Sequence, residues 1–205
     1  MPFQAGSSKN YHPVADCILS IFNDMEQCSA ESVAQMLSMV SPERKAQALA
    51  YRHLPGQFAC LKSHVMLKEL LATEYGITHF TVQSAVHGKP YLASHPGIHF
   101  NISHCKTAIA VAVSTAPVGI DIESIRKPTP ALIERTMNPG ESRLILDSAD
   151  PARQFTRLWT RKESVFKLTG TGITDDIREI LSIQTGIGTE TSEKEKYILS
   201  ISQFC

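Results

Sequence analysis

Apolar residues recur along this chain in two rhythms. From about residue 25 to residue 39, and again through Leu61, Val65, Leu67, Leu70 and Leu71, the spacing is that of one helix face. Ser41-Pro42-Glu43 reads as a helix start, with Ser as the cap, Pro in the first turn and an acid near the positive dipole end. The Leu-rich helix is expected to stop before Gly76. Elsewhere the rhythm shortens. Cys17–Phe22 predicts a first strand, and 98–102, 108–113 and 118–122 are short β-rich runs parted by turn-like breaks. Helical patterning returns over 130–168. Residues 180–184 and 197–202 are expected to be closing strands joined by a polar loop. Residues 1–12, rich in polar side chains, predict a loose tail.

This order of elements predicts two mixed α/β halves meeting near residue 118. A length of 205 residues is enough to bury a sizeable core. The 42% apolar and 20% charged residues place the chain among ordinary globular proteins and away from disordered ones. Lys plus Arg balances Asp plus Glu, which argues against a general nucleic-acid binder but leaves room for a local basic patch facing a phosphorylated ligand. The five cysteines are scattered without metal-ligand spacing, as expected of free thiols in a reducing cytosol. The first sixteen residues lack the hydrophobic segment of a signal peptide. The longest apolar run, 108–113, is far too short to span a bilayer. A cytoplasmic location follows as the expectation.

Gly119-Ile120-Asp121-Ile122-Glu123 carries the first candidate chemistry. On a strand, Ile120 and Ile122 enter the core, while Asp121 and Glu123 project together from the other face, roughly 6.5 Å apart. Two carboxylates on one side repel unless a positive charge lies between them. Hard oxygen ligands with room for water suit Mg²⁺. Alone, the segment reads equally as a solvent-facing edge with two charges.

The second candidate is the helical run 155–167. Phe155, Leu158, Lys162, Val165 and Phe166 follow one line of the helix, and the four apolar members predict a buried stripe. Trp159, Glu163 and Lys167 fall four apart along another line. Trp159 reads as a core anchor, and Glu163 with Lys167 as an exposed ion pair worth about 0.2–0.5 kcal/mol. Alternatively, Glu163 completes an acidic site with Asp121 and Glu123, and Lys167 adds the positive charge that phosphoryl transfer needs.

Together these segments resemble the two signature motifs of the 4′-phosphopantetheinyl transferase superfamily: G-I/V-D-x-E on a strand, then W-x-x-K-E-x-x-x-K on a helix some forty residues later. Gly88-Lys89-Pro90 and Phe100-Asn101-Ile102-Ser103-His104 resemble further blocks of that family in the same order. The likeness runs from about residue 41 to residue 172 and is to the long, two-half type that activates peptide and polyketide synthases. The resemblance implies transfer of 4′-phosphopantetheine from coenzyme A to a serine of an apo acyl or peptidyl carrier protein, releasing 3′,5′-ADP. It implies that Asp121, Glu123 and Glu163 hold Mg²⁺. It further implies that Arg44, Lys89, Ser103 and His104 contact coenzyme A phosphates, that Glu163 takes the serine proton and that Lys167 stabilises the leaving group. It implies an α/β (α+β) fold of two pseudo-symmetric halves, 13–117 and 118–205, each a small, mainly antiparallel sheet packed with helices, with the ligand cleft between them, and a monomer.

Departures from the pattern accompany it. Gln47, Ala59 and Cys60 stand where the family often has basic or hydroxyl residues, leaving Arg52 or Lys62 as candidate substitutes, and the chain is expected to be short at its C-terminus, where related chains often have more strand. The other seven histidines read as structural or surface residues. Two alternatives stay open: a Mg²⁺-dependent nuclease using the same acids and Lys167, and a non-catalytic module that binds coenzyme A or a carrier protein.

Overall fold

The computed structural model describes residues 8–11, 17–171, 175–183 and 185–205. Its first sheet has the order β1-β2-β6-β5, built from β1 (Ser8–Tyr11), β2 (Cys17–Phe22), β5 (His99–His104) and β6 (Ile109–Ser114), all antiparallel. Between β2 and β5 lie α1 (Ala30–Ser38), α2 (Pro42–Leu49), α3 (Leu54–Tyr75) and the hairpin β3 (Val82–Ser84) with β4 (Pro90–Leu92). The second sheet has the order β7-β9-β8, from β7 (Val118–Ser124), β8 (Ile187–Glu193) and β9 (Tyr197–Phe204). The helices α4 (Pro130–Thr136), α5 (Pro139–Leu146), α6 (Pro151–Thr169) and the single turn α7 (Ile180–Ile183) come between β7 and β8.

The halves share one topology. In each, a first strand pairs with the last, the last pairs with the middle one, and a long helix separates first from middle: β2-β6-β5 with α3, and β7-β9-β8 with α6. Period-2 alternation explains how they stack. Phe100, Ile109, Val111 and Val113 face α3, whose Phe58, Leu61, Leu67, Leu70 and Leu71 cover them. Cys17, Leu19, Ala110 and Ala112 point the other way and meet Val118, Ile120, Ile122, Leu199 and Ile201 of the second sheet. The result is a four-layer stack with helices outside and two sheets inside. No helix among the described residues is long and apolar enough to cross a membrane.

Most sequence expectations hold. Ser41 caps α2 by accepting from the Arg44 amide, and Gly76 ends α3 in the left-handed conformation at φ 66°. The helical stretch expected over 25–39 is a 3₁₀ turn followed by α1, and that over 130–168 is three helices, each opened by Pro in its first turn. Three points differ. Ser8–Tyr11, within the expected tail, forms an edge strand on β2. The expected strand at 180–184 is instead α7, with Gln184 outside the described residues, because Ile177, Ile180 and Leu181 have helical spacing and pack on Val165 and Phe166. The expected polar loop after it contains β8, whose pairing with β9 forms the sheet edge.

Candidate active site

The acidic strand and the signature helix meet face to face. With Val118, Ile120 and Ile122 turned to the first sheet, Gly119, Asp121 and Glu123 face α6. Gly119 is required there. A Cβ at this position would lie 2.1 Å from the Ser164 carbonyl oxygen and 2.3 Å from the Leu168 nitrogen, so only glycine lets the helix approach. The helix rests on hydroxyls. Thr160 bonds Ser200 at 2.9 Å, and Ser200 bonds Thr191 at 3.0 Å. One turn along, Ser164 bonds Ser202 at 2.7 Å, and Ser202 bonds Thr189 at 2.8 Å. The apolar stripe expected on α6 is buried, but Phe155 and Leu158 pack on α4 and α5, while Val165 and Phe166 pack on α7.

Strand β5 supplies the other wall. It edges the first sheet beside β7, and side chains stitch the seam where a backbone ladder is lacking. Asn101 Oδ1 accepts from the Ile120 amide at 3.0 Å, and Ser103 Oγ accepts from the Ile122 amide at 3.2 Å. Ser103 also donates to Asp121 Oδ1 at 2.8 Å and accepts from Lys167 Nζ at 2.9 Å, which uses its full hydroxyl capacity. Lys167 closes the triangle with a 2.7 Å ion pair to the same Asp121 oxygen.

Asp121 is almost fully enclosed, and its second oxygen, Oδ2, is buried without a hydrogen-bond partner. Glu123 accepts from Trp159 Nε1 at 3.3 Å, and Trp159 stacks on Phe155. Burial, and then the Asp121 charge, raise the pKa of both remaining acids, that of Glu163 to about 7. Lys167 only partly opposes this. Three carboxylates thus crowd around one ammonium. An orphaned carboxylate oxygen beside two acids whose pKa burial and the Asp121 charge raise makes a hard-oxygen donor set that fits Mg²⁺. Among the described residues, no three acidic, His or Cys side chains are already gathered at metal-ligating distance.

Glu163 and Lys167 line a cleft of about 240 Å³ with Lys89, Gly88 and Asn101. Lys89 donates to the Leu168 carbonyl at 2.7 Å, tying the β3–β4 hairpin to the end of α6, and burial pushes its pKa down to about 8. His104 ends β5 with part of its surface open to solvent, but enough protein surrounds its ring that desolvation first, then the nearby Lys167 charge, lowers its pKa. Arg44 lies outside the cleft, where its Nη1 approaches Cys60 Sγ at 3.8 Å and it lines a separate pocket with Gln47 and His64. Lys62 is buried with its ammonium 4.4 Å above the Phe22 ring, and Arg52 is exposed.

Sequence reading assigned no role to Asn101 or to the pairing of Lys162 with Glu141. Lys162 is fully buried, 2.8 Å from Glu141, and donates to the Ile177 and Arg178 carbonyls. A lysine inside an apolar helical stripe signals burial but does not reveal its partner.

Fold and site together define a two-half α+β protein that gathers three carboxylates and two lysines where its halves meet. The family model of the 4′-phosphopantetheinyl transferase superfamily matches residues 117–202, which span β7 to β9 and carry all three acids and Lys167. A 4′-phosphopantetheinyl transferase of Bacillus subtilis is 32% identical over 71% of this chain and 66% of its own length. One from Bacillus pumilus is 32% identical over 70% of this chain and 63% of its own. The 4′-phosphopantetheinyl transferase HetI of a Nostoc species is 32% identical over 71% and 60%, respectively. The chain belongs to the 4′-phosphopantetheinyl transferase superfamily. It spans slightly less than two thirds of the length of the curated relatives it matches.

Proposed function

We propose that this chain transfers 4′-phosphopantetheine from coenzyme A to a serine of an apo acyl or peptidyl carrier protein, acting as a cytoplasmic, Mg²⁺-dependent monomer. The observation that carries the reading is the Asp121–Ser103–Lys167 triangle, with an unpartnered Asp121 oxygen beside two glutamates whose carboxyls burial pushes up. When bound, Mg²⁺ held by Asp121, Glu123 and Glu163 would offset charge on the pyrophosphate oxygens.

In the transfer, the serine oxygen forms a bond to the phosphorus that bears pantetheine, and the bond from that phosphorus to the departing 3′,5′-ADP breaks. Glu163, whose pKa burial raises to about 7, receives the serine proton. Lys167 stands on the cleft wall to neutralise charge on the leaving oxygen. Ser103 has its hydroxyl committed to Asp121, Lys167 and the Ile122 amide, which supports a positioning role ahead of direct phosphate contact. Lys89 lines the same cleft, and His104 lies within the electrostatic reach of Lys167. Both are available to phosphates of coenzyme A.

The test is intact-protein mass spectrometry of an apo carrier protein incubated with the chain, coenzyme A and Mg²⁺. A gain of one phosphopantetheine mass, lost with EDTA, is the expected result. No gain across several unrelated carriers, with the chain folded and coenzyme A bound, would replace this reading by the non-catalytic one. Plasmid or RNA cleavage under the same conditions would favour the nuclease.

A further inference from the structure

Strand β5 aims two polar side chains at its seam with β7. Ser103 commits its hydroxyl to Asp121, Lys167 and the Ile122 amide. Asn101, two positions earlier on the same face, commits only half of its carboxamide. Its Oδ1 accepts from the Ile120 amide at 3.0 Å, and since only the oxygen of a carboxamide can accept, this bond fixes which way round the group stands. The nitrogen, Nδ2, has two hydrogens to give and meets no acceptor among the described residues.

Asn101 is only 4% exposed, and it lines the 240 Å³ cleft with Lys89, Glu163 and Lys167. Its Nδ2 is not sealed off, so the little surface it keeps opens into that cleft. On the α6 wall, Lys167 gives two of its three hydrogens to Ser103 Oγ and Asp121 Oδ1 and keeps the third, with 30% of its side chain exposed. Glu163 shares the cleft but takes neither Asn101 hydrogen. Leaving the donors of a nearly enclosed group unpaired costs about 1–3 kcal/mol. A locked amide with idle donors, facing a lysine with an idle donor, is built for an acceptor that arrives from outside.

We propose that Asn101 is a catalytic residue whose Nδ2 donates a hydrogen bond to a nonbridging oxygen of the phosphoryl group in transfer, across the cleft from Lys167. This deepens the transferase reading and rests on it. As the serine oxygen bonds to phosphorus and the bond to 3′,5′-ADP breaks, the serine proton passes to Glu163 and negative charge shifts among the phosphoryl oxygens. Asn101 keeps both of its hydrogens throughout and tightens one bond. A neutral donor suits the position, because a further ammonium there would compete with Mg²⁺ for the three acids. The Ile120 amide holds Oδ1 away from the anion, so the donor is already oriented when charge develops.

Asn101→Asp is the informative variant, since its carboxylate can still accept from the Ile120 amide while the donor is gone. Carrier modification should lose about 10²–10³-fold in kcat with a much smaller change in KM. A purely structural role at the seam is separated by a second substitution, in the co-substrate. Coenzyme A with sulfur in place of one nonbridging oxygen on the pantetheine-bearing phosphorus should, in one of its two stereoisomers, slow the wild type and cost Asn101→Asp little more. Fully additive losses in both stereoisomers, or near-wild-type kcat in Asn101→Asp, would overturn the proposal. The wild-type chain gives a reading free of turnover: in ¹H–¹⁵N NMR with Mg²⁺ and no carrier, saturating coenzyme A should shift the Asn101 side-chain amide pair. An unmoved pair overturns the donor whatever the turnover. A shifted pair in a chain that modifies no carrier keeps Asn101 as a donor to the bound phosphate and refutes the transferase reading instead.

Discussion

Gly119→Ala tests how the site is built. The added methyl would meet three backbone atoms of α6, the nearest at 2.1 Å where ordinary contact begins at 3.4 Å, so the helix must recede by about 1.3 Å. Backbone has no rotamer by which to step aside. Overpacking of this kind costs about 1–3 kcal/mol, or roughly 2–12 °C in melting temperature for a domain of this size. The functional effect should be larger. Lys167 precedes Leu168 and Glu163 precedes Ser164, so the displaced turns are those that set the 2.7 Å Lys167–Asp121 pair and the Glu163 carboxylate. A shift of about 1 Å in such groups can lower a rate about 10²-fold. The assay is carrier modification by mass spectrometry under initial-rate conditions, paired with thermal melting. Gly97→Ala is the control, since a Cβ there meets nothing within 4 Å. It should stay within about 0.5 kcal/mol of wild type. Wild-type melting and turnover in Gly119→Ala would refute the close-approach argument.

Asp121→Ala should abolish transfer yet leave the fold intact, because Lys167 keeps access to water and the crowding on Glu123 and Glu163 is relieved; near-normal turnover would remove Asp121 from the chemistry. Glu141→Ala strands the buried Lys162 ammonium and should cost about 3–5 kcal/mol in urea unfolding, whereas joint replacement by Lys162→Met and Glu141→Leu should cost much less. Lys89 binds fewer protons in the folded than in the unfolded chain between its folded pKa of about 8 and the ordinary lysine value of 10.5. Its contribution to stability therefore rises with pH through that window, and melting curves of wild type and Lys89→Met should diverge there; parallel curves would contradict its burial. The Cys17 thiol, enclosed and pushed up to about 12, should ignore a thiol reagent until denaturant is added, while exposed Cys205 reacts at once.

What could be read from the sequence was whatever short periods encode. Alternation along β7 correctly separated Ile120 and Ile122 from Asp121 and Glu123, and the four-residue step correctly aligned Trp159, Glu163 and Lys167. Strand β8 escaped because Thr189, Thr191 and Glu193 face α6 with polar groups, so there is no apolar alternation to see. Residues 180–183 looked β-like by composition, but the helical spacing of Ile177, Ile180 and Leu181 and the anchoring of the preceding carbonyls by Lys162 decide the outcome. The partnerships of Ser103 with Asp121 and of Lys162 with Glu141 join residues 18 and 21 positions apart, and no local pattern specifies such pairs.

The hydroxyl rows beneath α6 give that helix an unusual kind of seat. An oily interface allows a helix to slide or roll by fractions of a turn at little cost, because dispersion has no direction. Here each step along the axis must break Thr160–Ser200 and Ser164–Ser202 together, and the displaced hydroxyls find no new partner until a full turn has passed. The seat therefore acts as a detent. Small thermal excursions return Glu163 and Lys167 to the same angular setting, so warming should leave turnover geometry unchanged up to the point where the whole helix lets go.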